Sequence, residues 1–286
     1  MALPAETSTP PSRRFNWRWR FSLRALLCLI TVLGVWFDWA LKSASDQQRA
    51  VAAIRAAGGE VQYDFEYLSN PFANAPQPSW LGRIFGVDLF HDVVEAQIGS
   101  EVSADELDVY ISELHHLPNL RSLSIENWHV TAAVLERLPE LKQLESLYVS
   151  GKRIDDRVPE ALCRFTTLRI LSLHRTLITG SGIRPLAAMK QLTYLSLSDA
   201  DLCDADLEWL LTIPALEEVQ LSDNHSITDA GVDILARSDK LRTVWLNRTG
   251  VTDERARKLQ TQIPGIHLPR AAADPIIGRV GCRKRR

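Results

Sequence analysis

The sequence predicts an α/β solenoid, with parallel strands on its concave face and helices on its convex face, behind one N-terminal transmembrane helix. Three observations carry this. A leucine pattern returns at a period near 24 residues, each period switches from strand-like to helix-like spacing, and five arginines precede an uncharged apolar run close to the start of the chain.

The first element is "RRFNWRWRFSLRALLCLITVLGVWFDWALKS", where Arg13, Arg14, Arg18, Arg20 and Arg24 stand ahead of an uncharged run from Ala25 to Phe37. Basic residues before an apolar run hold that end in the cytoplasm. As a helix the run alone spans about 20 Å, short of a hydrocarbon core of about 30 Å, which fits a cleaved signal peptide. The apolar pattern resumes on both sides, with Phe21 and Leu23 before Arg24 and with Trp39, Ala40 and Leu41 after Asp38. Arg24 can snorkel outward, so residues 21–41 are long enough to cross. Trp17 and Trp19 on one side, and Trp36 and Trp39 on the other, fall where interfacial indoles belong. The first small residues suited to cleavage, Ser43-Ala44-Ser45, lie beyond Asp38. We read a single-pass anchor behind a basic cytoplasmic segment at 1–20. A cleaved signal is the alternative, and either one places the body outside the cytoplasm.

"DQQRAVAAIRAAGG" then reads as a helix ending at Gly58 and Gly59, and "EVQYDF" as an alternating strand. With a loop around Pro71, Pro76 and Pro78 they form an N-terminal cap over 46–92, because a terminal repeat needs a cover.

The repeats occupy 93–268. A leucine followed by xxLxL, or its Val or Ile variant, opens "LRSLSI" at 120, "LESLYV" at 144, "LRILSL" at 168, "LTYLSL" at 192, "LEEVQL" at 216 and "LRTVWL" at 241. The interval is 24 residues except for the last, which is 25 because one residue enters the turn at "NHSIT". Leu138, Leu162, Leu186, Leu210, Leu235 and Leu259 then share one slot at helical spacing. One apolar strand face and one apolar helix stripe are too little for a core, so each unit must stack on the next. "VVEAQI" fits a degenerate first strand, followed by a helix in "SADELDVYISELHHL" that Ser103 or Asp105 caps. Thr131, Thr179, Thr228 and Thr252 occupy capping positions in later units. "PGIHL" offers a last half-strand through Leu268, and a basic tail over 269–286 reads as solvated and disordered.

This pattern resembles the leucine-rich repeat family, and "ITDAG" resembles the subclass found in F-box ubiquitin-ligase adaptors. An "FSLRALL" anchor ahead of such repeats also resembles a group of bacterial single-pass proteins. No F-box precedes the repeats, so the adaptor role does not follow. The Asn or Thr that the family places eight residues after the starting leucine is present as Thr176, Asn224 and Thr249, but is Trp128, Lys152 and Ala200 elsewhere. Gaps in the inner hydrogen-bond ladder are therefore expected.

Charge and chemistry narrow the function. The chain has 33 basic and 35 acidic residues; the five arginines before Ala25 and the five basic groups from Arg279 to Arg286 leave 33 − 5 − 5 = 23 basic against 34 acidic once Glu6 is set aside, a body of net −11. Such a body repels phosphate backbones, and nucleic acid is not an expected partner. Cys28, Cys163, Cys203 and Cys282 show no metal or redox spacing, and the repeat register sets Cys163 and Cys203 too far apart for a disulfide. His115 and His116, adjacent on a helix, should face different ways. His174 has no placed carboxylate or oxyanion hole, so no triad is expected. No cofactor, no metal and no enzyme activity follow from this.

Residues two, four and six after each starting leucine point to the concave face. Those columns hold Tyr148, Ile170, His174, Tyr194 and Trp245 among serines, Gln97, Gln220, Glu95, Glu126 and Glu218. Tyr and Trp dominate interface hot spots, so a protein or peptide partner is expected there, with Tyr148, Ile170 and Tyr194 forming one patch. The rival readings are a structural component of the cell envelope without a specific ligand, and an exported binding protein or enzyme subunit released by signal cleavage.

Overall fold

The computed structural model describes residues 23–67, 86–261 and 265–267; the basic segment at 1–20, the Pro71 loop, Cys282 and the tail lie outside them. The chain divides into two units, Met1–Lys42 and Ser43–Arg286.

The described part of the first unit belongs to one helix, α1 (Leu23–Ala56). Twelve of the sixteen exposed large hydrophobic side chains among the described residues lie on it, from Leu23 to Leu41. Thr31 turns its hydroxyl back onto the carbonyls of Leu27 and Cys28, at 3.1 and 2.9 Å, so this hydroxyl is satisfied within the helix. The helix is long and apolar enough to cross a membrane, and a signal sequence has the same properties.

The second unit is built on one nine-stranded sheet in sequence order: β1 (Glu60–Tyr63), β2 (Val93–Ile98), β3 (Ser122–Glu126), β4 (Ser146–Ser150), β5 (Ile170–His174), β6 (Tyr194–Ser196), β7 (Glu218–Gln220), β8 (Thr243–Trp245) and β9 (Gly265–His267). All pairs from β2 onward are parallel. Their register equals the repeat: Leu123, Leu147, Leu171, Leu195, Val219 and Val244 form one continuous row, fully buried. Parallel strands need a crossover on one side of the sheet, which the second half of each repeat supplies.

Strand β1 runs antiparallel to β2 and closes the sheet edge, while Ala50, Val51 and Ile54 of the helix ahead of it are buried in the core. Gly59 allows this close approach, since a Cβ there would lie 2.8 Å from the Gln97 carbonyl oxygen. The strand stops at Tyr63, and Asp64–Tyr67 is helical, shorter than the alternation of "EVQYDF" implies. Tyr63 Oη and Gln47 Nε2 both donate to Asp88, and Asp64 bonds His91, so the ends of the cap are tied by polar contacts.

The convex side departs from the expected row of helices. Its pieces are Ala104–Glu113, Ala132–Glu136, Arg157–Leu162, Gly180–Ile183, Asp229–Leu235 and Asp253–Gln260, with 3-10 turns at Leu114–His116, Arg184–Ala188 and Asp204–Thr212. A 24-residue unit leaves little length for a helix, and Pro185 enters the first turn of its segment. The shared leucine slot is buried in every unit regardless. In the Leu114–His116 turn, His115 and His116 do not diverge as expected: their rings lie 3.7 Å apart, because the tighter 3-10 turn changes their directions.

Two ladders stitch the units together. Buried Asn224 donates to the carbonyls of Leu197 and Leu221, both at 2.8 Å, and its Oδ1 accepts from Ala200 and Leu202 N–H at 3.1 and 3.0 Å. Thr176 and Thr249 bond only the strand before them. Where the register offers Trp128, the unit uses Asn127 instead, one position earlier. That side chain donates to Gly99 and Val102 carbonyls and accepts from His129 N–H.

The second ladder explains "ITDAG". Thr228 caps its helix, and both its N–H and its hydroxyl donate to Asp204 of the preceding unit, at 2.7 and 2.6 Å. Asp229 serves Thr252 of the next unit in the same way, and Asp156 serves Thr179. Gly231 makes room, because a Cβ there would sit 2.4 Å from Asp204 Oδ1. Ser103 caps its helix in a reciprocal box with Glu106, whereas Thr131 makes no capping bond.

Candidate functional site

The register fixes what the strands present. From β3 to β8 each side chain facing the helices is fully buried, while its neighbours along the strand face outward. Three outward rows result. The first runs Glu95, Ser122, Ser146, Ile170, Tyr194, Glu218, Thr243. The second runs Gln97, Ser124, Tyr148, Ser172, Ser196, Gln220, Trp245, and the third includes Glu126, Ser150 and His174.

Tyr148, Ile170, His174, Tyr194 and Trp245 are all half-buried on this surface. Ile170 and Tyr194 are direct partners across β5 and β6, and Tyr148 stands one row over. The ring contact of Tyr194 is with Trp245, at 6.0 Å between centroids and edge to face, reaching across β7. Gln220 lies between them and accepts the Tyr194 hydroxyl at 2.7 Å. Burial pushes the Tyr194 hydroxyl above the usual phenol range, with Tyr148 acting in the same direction. The small serines around these rings are themselves nearly covered, so the aromatic groups stand on a polar floor.

His174 belongs to a different feature. It lines a rim cavity of about 160 Å³ with Glu126, Trp128, Ser150, Gly151 and Arg175, at the carboxyl ends of β3 to β5. Burial holds the imidazole below its ordinary pKa; Glu126 and Asp199 pull the other way and Arg175 reinforces the shift. The sequence suggested His174 as a member of one surface with the tyrosines, and the register places it in the third row beside the cavity. Trp128, 56% exposed, and Arg175, at φ 56, were missed because each lies in the turn after a strand, where alternation no longer says which way a side chain points.

The convex side is more fully committed to the fold. Arg137–Asp108, Arg237–Glu208 and Arg255–Asp233 pair between successive units, and Arg164 caps the carbonyls of Leu135, Glu136 and Leu138. Cys163 and Cys203 are free thiols, and burial raises the pKa of Cys163. Among the described residues no group of three His, Cys, Asp or Glu could hold a metal ion. Asn224, which heads a glycosylation sequon, is fully buried and hydrogen-bonded, so the fold closes that position to modification.

Comparison with known proteins agrees with this architecture. Residues 134–262 match the LRR repeats of an FBD-associated F-box protein. A protein of Trypanosoma equiperdum, named as an adenylate cyclase regulatory protein, is 34% identical over 113 residues, which are 40% of this chain and 18% of that protein. The chain thus spans less than a fifth of the relative's length. Repeats of this kind are generally non-catalytic and generally bind proteins. With a buried leucine row in register across the parallel strands, a ladder asparagine and the match over residues 134–262, the repeat region has the architecture of a leucine-rich repeat solenoid and is similar in sequence to that family.

Proposed function

We propose that the chain is a non-catalytic, membrane-anchored protein that binds a protein or peptide through its concave face. The observation that carries this reading is the Tyr194–Trp245 pair with Ile170 and Tyr148 beside it. Large side chains on a rigid, hydrogen-bonded sheet lose little freedom on binding, and this is the residue chemistry of interface hot spots. Three convex arginines pair with carboxylates of neighbouring units, which favours the sheet side as the recognition surface. A regulatory role in the trypanosomal relative's name fits a domain that works by binding.

The anchor reading rests on the exposed apolar face of α1 and on the five arginines before it. Helix α1 spans the membrane once, with the N-terminus in the cytoplasm and the repeats outside. The domain plan accordingly runs as basic segment 1–20, span 21–41, cap 46–92, repeats 93–268 and tail 269–286. Alkaline carbonate extraction and N-terminal sequencing test the anchor: retention with an intact N-terminus is expected, and release with a new N-terminus near Asp46 would establish the signal peptide instead. Crosslinking in the native membrane identifies the partner. Crosslinks at Tyr148 or Trp245 are expected, and crosslinks confined to convex positions would reject the concave face.

A further inference from the structure

The rim cavity is built differently from the aromatic patch, and its chemistry points to a separate ligand. We infer that this cavity binds a free α-amino acid, with Glu126 and Trp128 taking the ammonium group and Arg175 with His174 taking the carboxylate.

Size comes first. At about 160 Å³ the cavity holds the equivalent of about five waters at about 30 Å³ each, and lies below the roughly 300 Å³ where sites for drug-sized ligands begin. Its occupant has few heavy atoms.

Charge comes second. Glu126 and Arg175 line the same cavity, yet among the described residues neither makes an ion pair or a side-chain hydrogen bond. The pairs that form elsewhere on the repeats, Arg248 with Asp223 and Arg242 with Glu217, join neighbouring units, whereas Glu126 and Arg175 stand two units apart. The register explains the separation. Glu126, Ser150 and His174 are direct partners on three adjacent strands, so the first and third backbones lie about 10 Å apart at about 4.8 Å per strand. A zwitterion whose two charged groups are about 3 Å apart, with a charge-assisted hydrogen bond of about 2.8 Å at each end, fills such a gap. An inorganic anion would face Glu126, a simple cation would face Arg175, and a neutral ligand would desolvate both charges without compensation.

The remaining walls fit the same occupant. Trp128 is exposed two residues from Glu126 and lines the same cavity, and an indole ring can attract an ammonium group. Gly151 also lines the cavity, and a Cβ at that position would come within 3.2 Å of the Asn127 carbonyl oxygen. The imidazole of His174 and the hydroxyl of Ser150 each have a hydrogen to donate to a carboxylate. Arg175 sits in a left-handed turn at φ 56, which starts its side chain from the cavity edge instead of from the sheet.

The experiment uses the full chain in detergent micelles. Each of the twenty proteinogenic amino acids is added at about 10 mM and the melting temperature read; the strongest is titrated calorimetrically beside its amide and its N-acetyl derivative. At least one amino acid is expected to raise Tm by about 2 °C or more. Both derivatives should bind at least about tenfold more weakly. Glu126→Gln and Arg175→Gln should each weaken the parent about tenfold while leaving the Tm of the ligand-free protein unchanged. Glu126→Gln should also remove the preference over the N-acetyl form, and Arg175→Gln the preference over the amide. Glu136→Ala, on the far side, should change nothing. The inference is overturned if none of the twenty raises Tm. It is equally overturned if the amide, which stands for a peptide's first residue, or the N-acetyl form, which stands for its last, binds as well as the free acid. Partner crosslinking at the aromatic patch is a separate readout, so loss of one leaves the other standing.

Discussion

Leu195 and Tyr194 are neighbours on one three-residue strand, yet one is fully buried in the leucine row and the other is half open on the opposite face. The two faces of the sheet carry different duties. The inner face has one acceptable answer at each position, a close-packed aliphatic side chain, and every unit repeats it. The outer face is free to vary and does so, from serines at β3 to a tyrosine and a tryptophan at β6 and β8. This division says which substitutions should break the fold and which should break only recognition.

The largest effect is expected inside. Leu197 is fully buried, with its N–H bonded to Gln220 O at 2.8 Å, so Leu197→Asp places an unpaired carboxylate in the middle of the stack. A loss of several kcal/mol follows, and the purified second unit should show no cooperative melting by circular dichroism. Tyr148→Ser on the outer face should melt close to the wild type. Equal losses from the two would mean that the register is off by one residue.

Next comes the asparagine ladder. Asn224→Ala strands two buried N–H groups and two buried carbonyls at once, and a cost of about 2–4 kcal/mol is expected from urea unfolding. The convex ladder should cost less, because its members are partly wet. Asp204→Ala is expected to lose about 1 kcal/mol through the two Thr228 bonds. Gly231→Ala drives a methyl into the same carboxylate, so the double variant Asp204→Ala/Gly231→Ala should be less unstable than the sum of the singles. Strict additivity would show that the glycine answers to something other than the aspartate.

The smallest effect concerns pH. Burial lowers the His174 pKa in the folded protein, so between the folded and unfolded values the unfolded chain binds more protons. Stability is therefore full above about pH 6.5 and declines as pH falls toward the folded value. The group is only half-buried and solvent screens it, which keeps the effect under about 1 kcal/mol. His174→Gln should flatten the melting temperature between pH 7 and pH 5 relative to wild type.

The inner face was legible in the sequence because a two-residue alternation inside a fixed period states burial directly, and all six starting leucines are buried. The "NHSIT" insertion was legible too, since it leaves the following strand in register. What escaped had no period to follow. Asn127 replaces the ladder residue by a shift of one, Trp128 and Arg175 turn into a cavity beyond the ends of strands, and the partner of each "ITDAG" threonine sits about 24 residues earlier in the chain. The aromatic patch was legible as a list, but the ring contact of Tyr194 is with Trp245, 51 residues away and across an intervening strand. For a convex control Glu136 and Glu160, both exposed, are suitable, whereas Asp233 is tied to Arg255.

The most direct test of the two-face account is calorimetry of Tyr194→Ala and Trp245→Ala with the partner recovered by crosslinking, alongside melting of the same variants. Each is predicted to weaken binding by about 1–3 kcal/mol with Tm within about 2 °C of wild type, while Glu136→Ala and Glu160→Ala bind as the wild type does. Affinity lost in the glutamate variants and kept in the aromatic ones would contradict the account and assign recognition to the convex side.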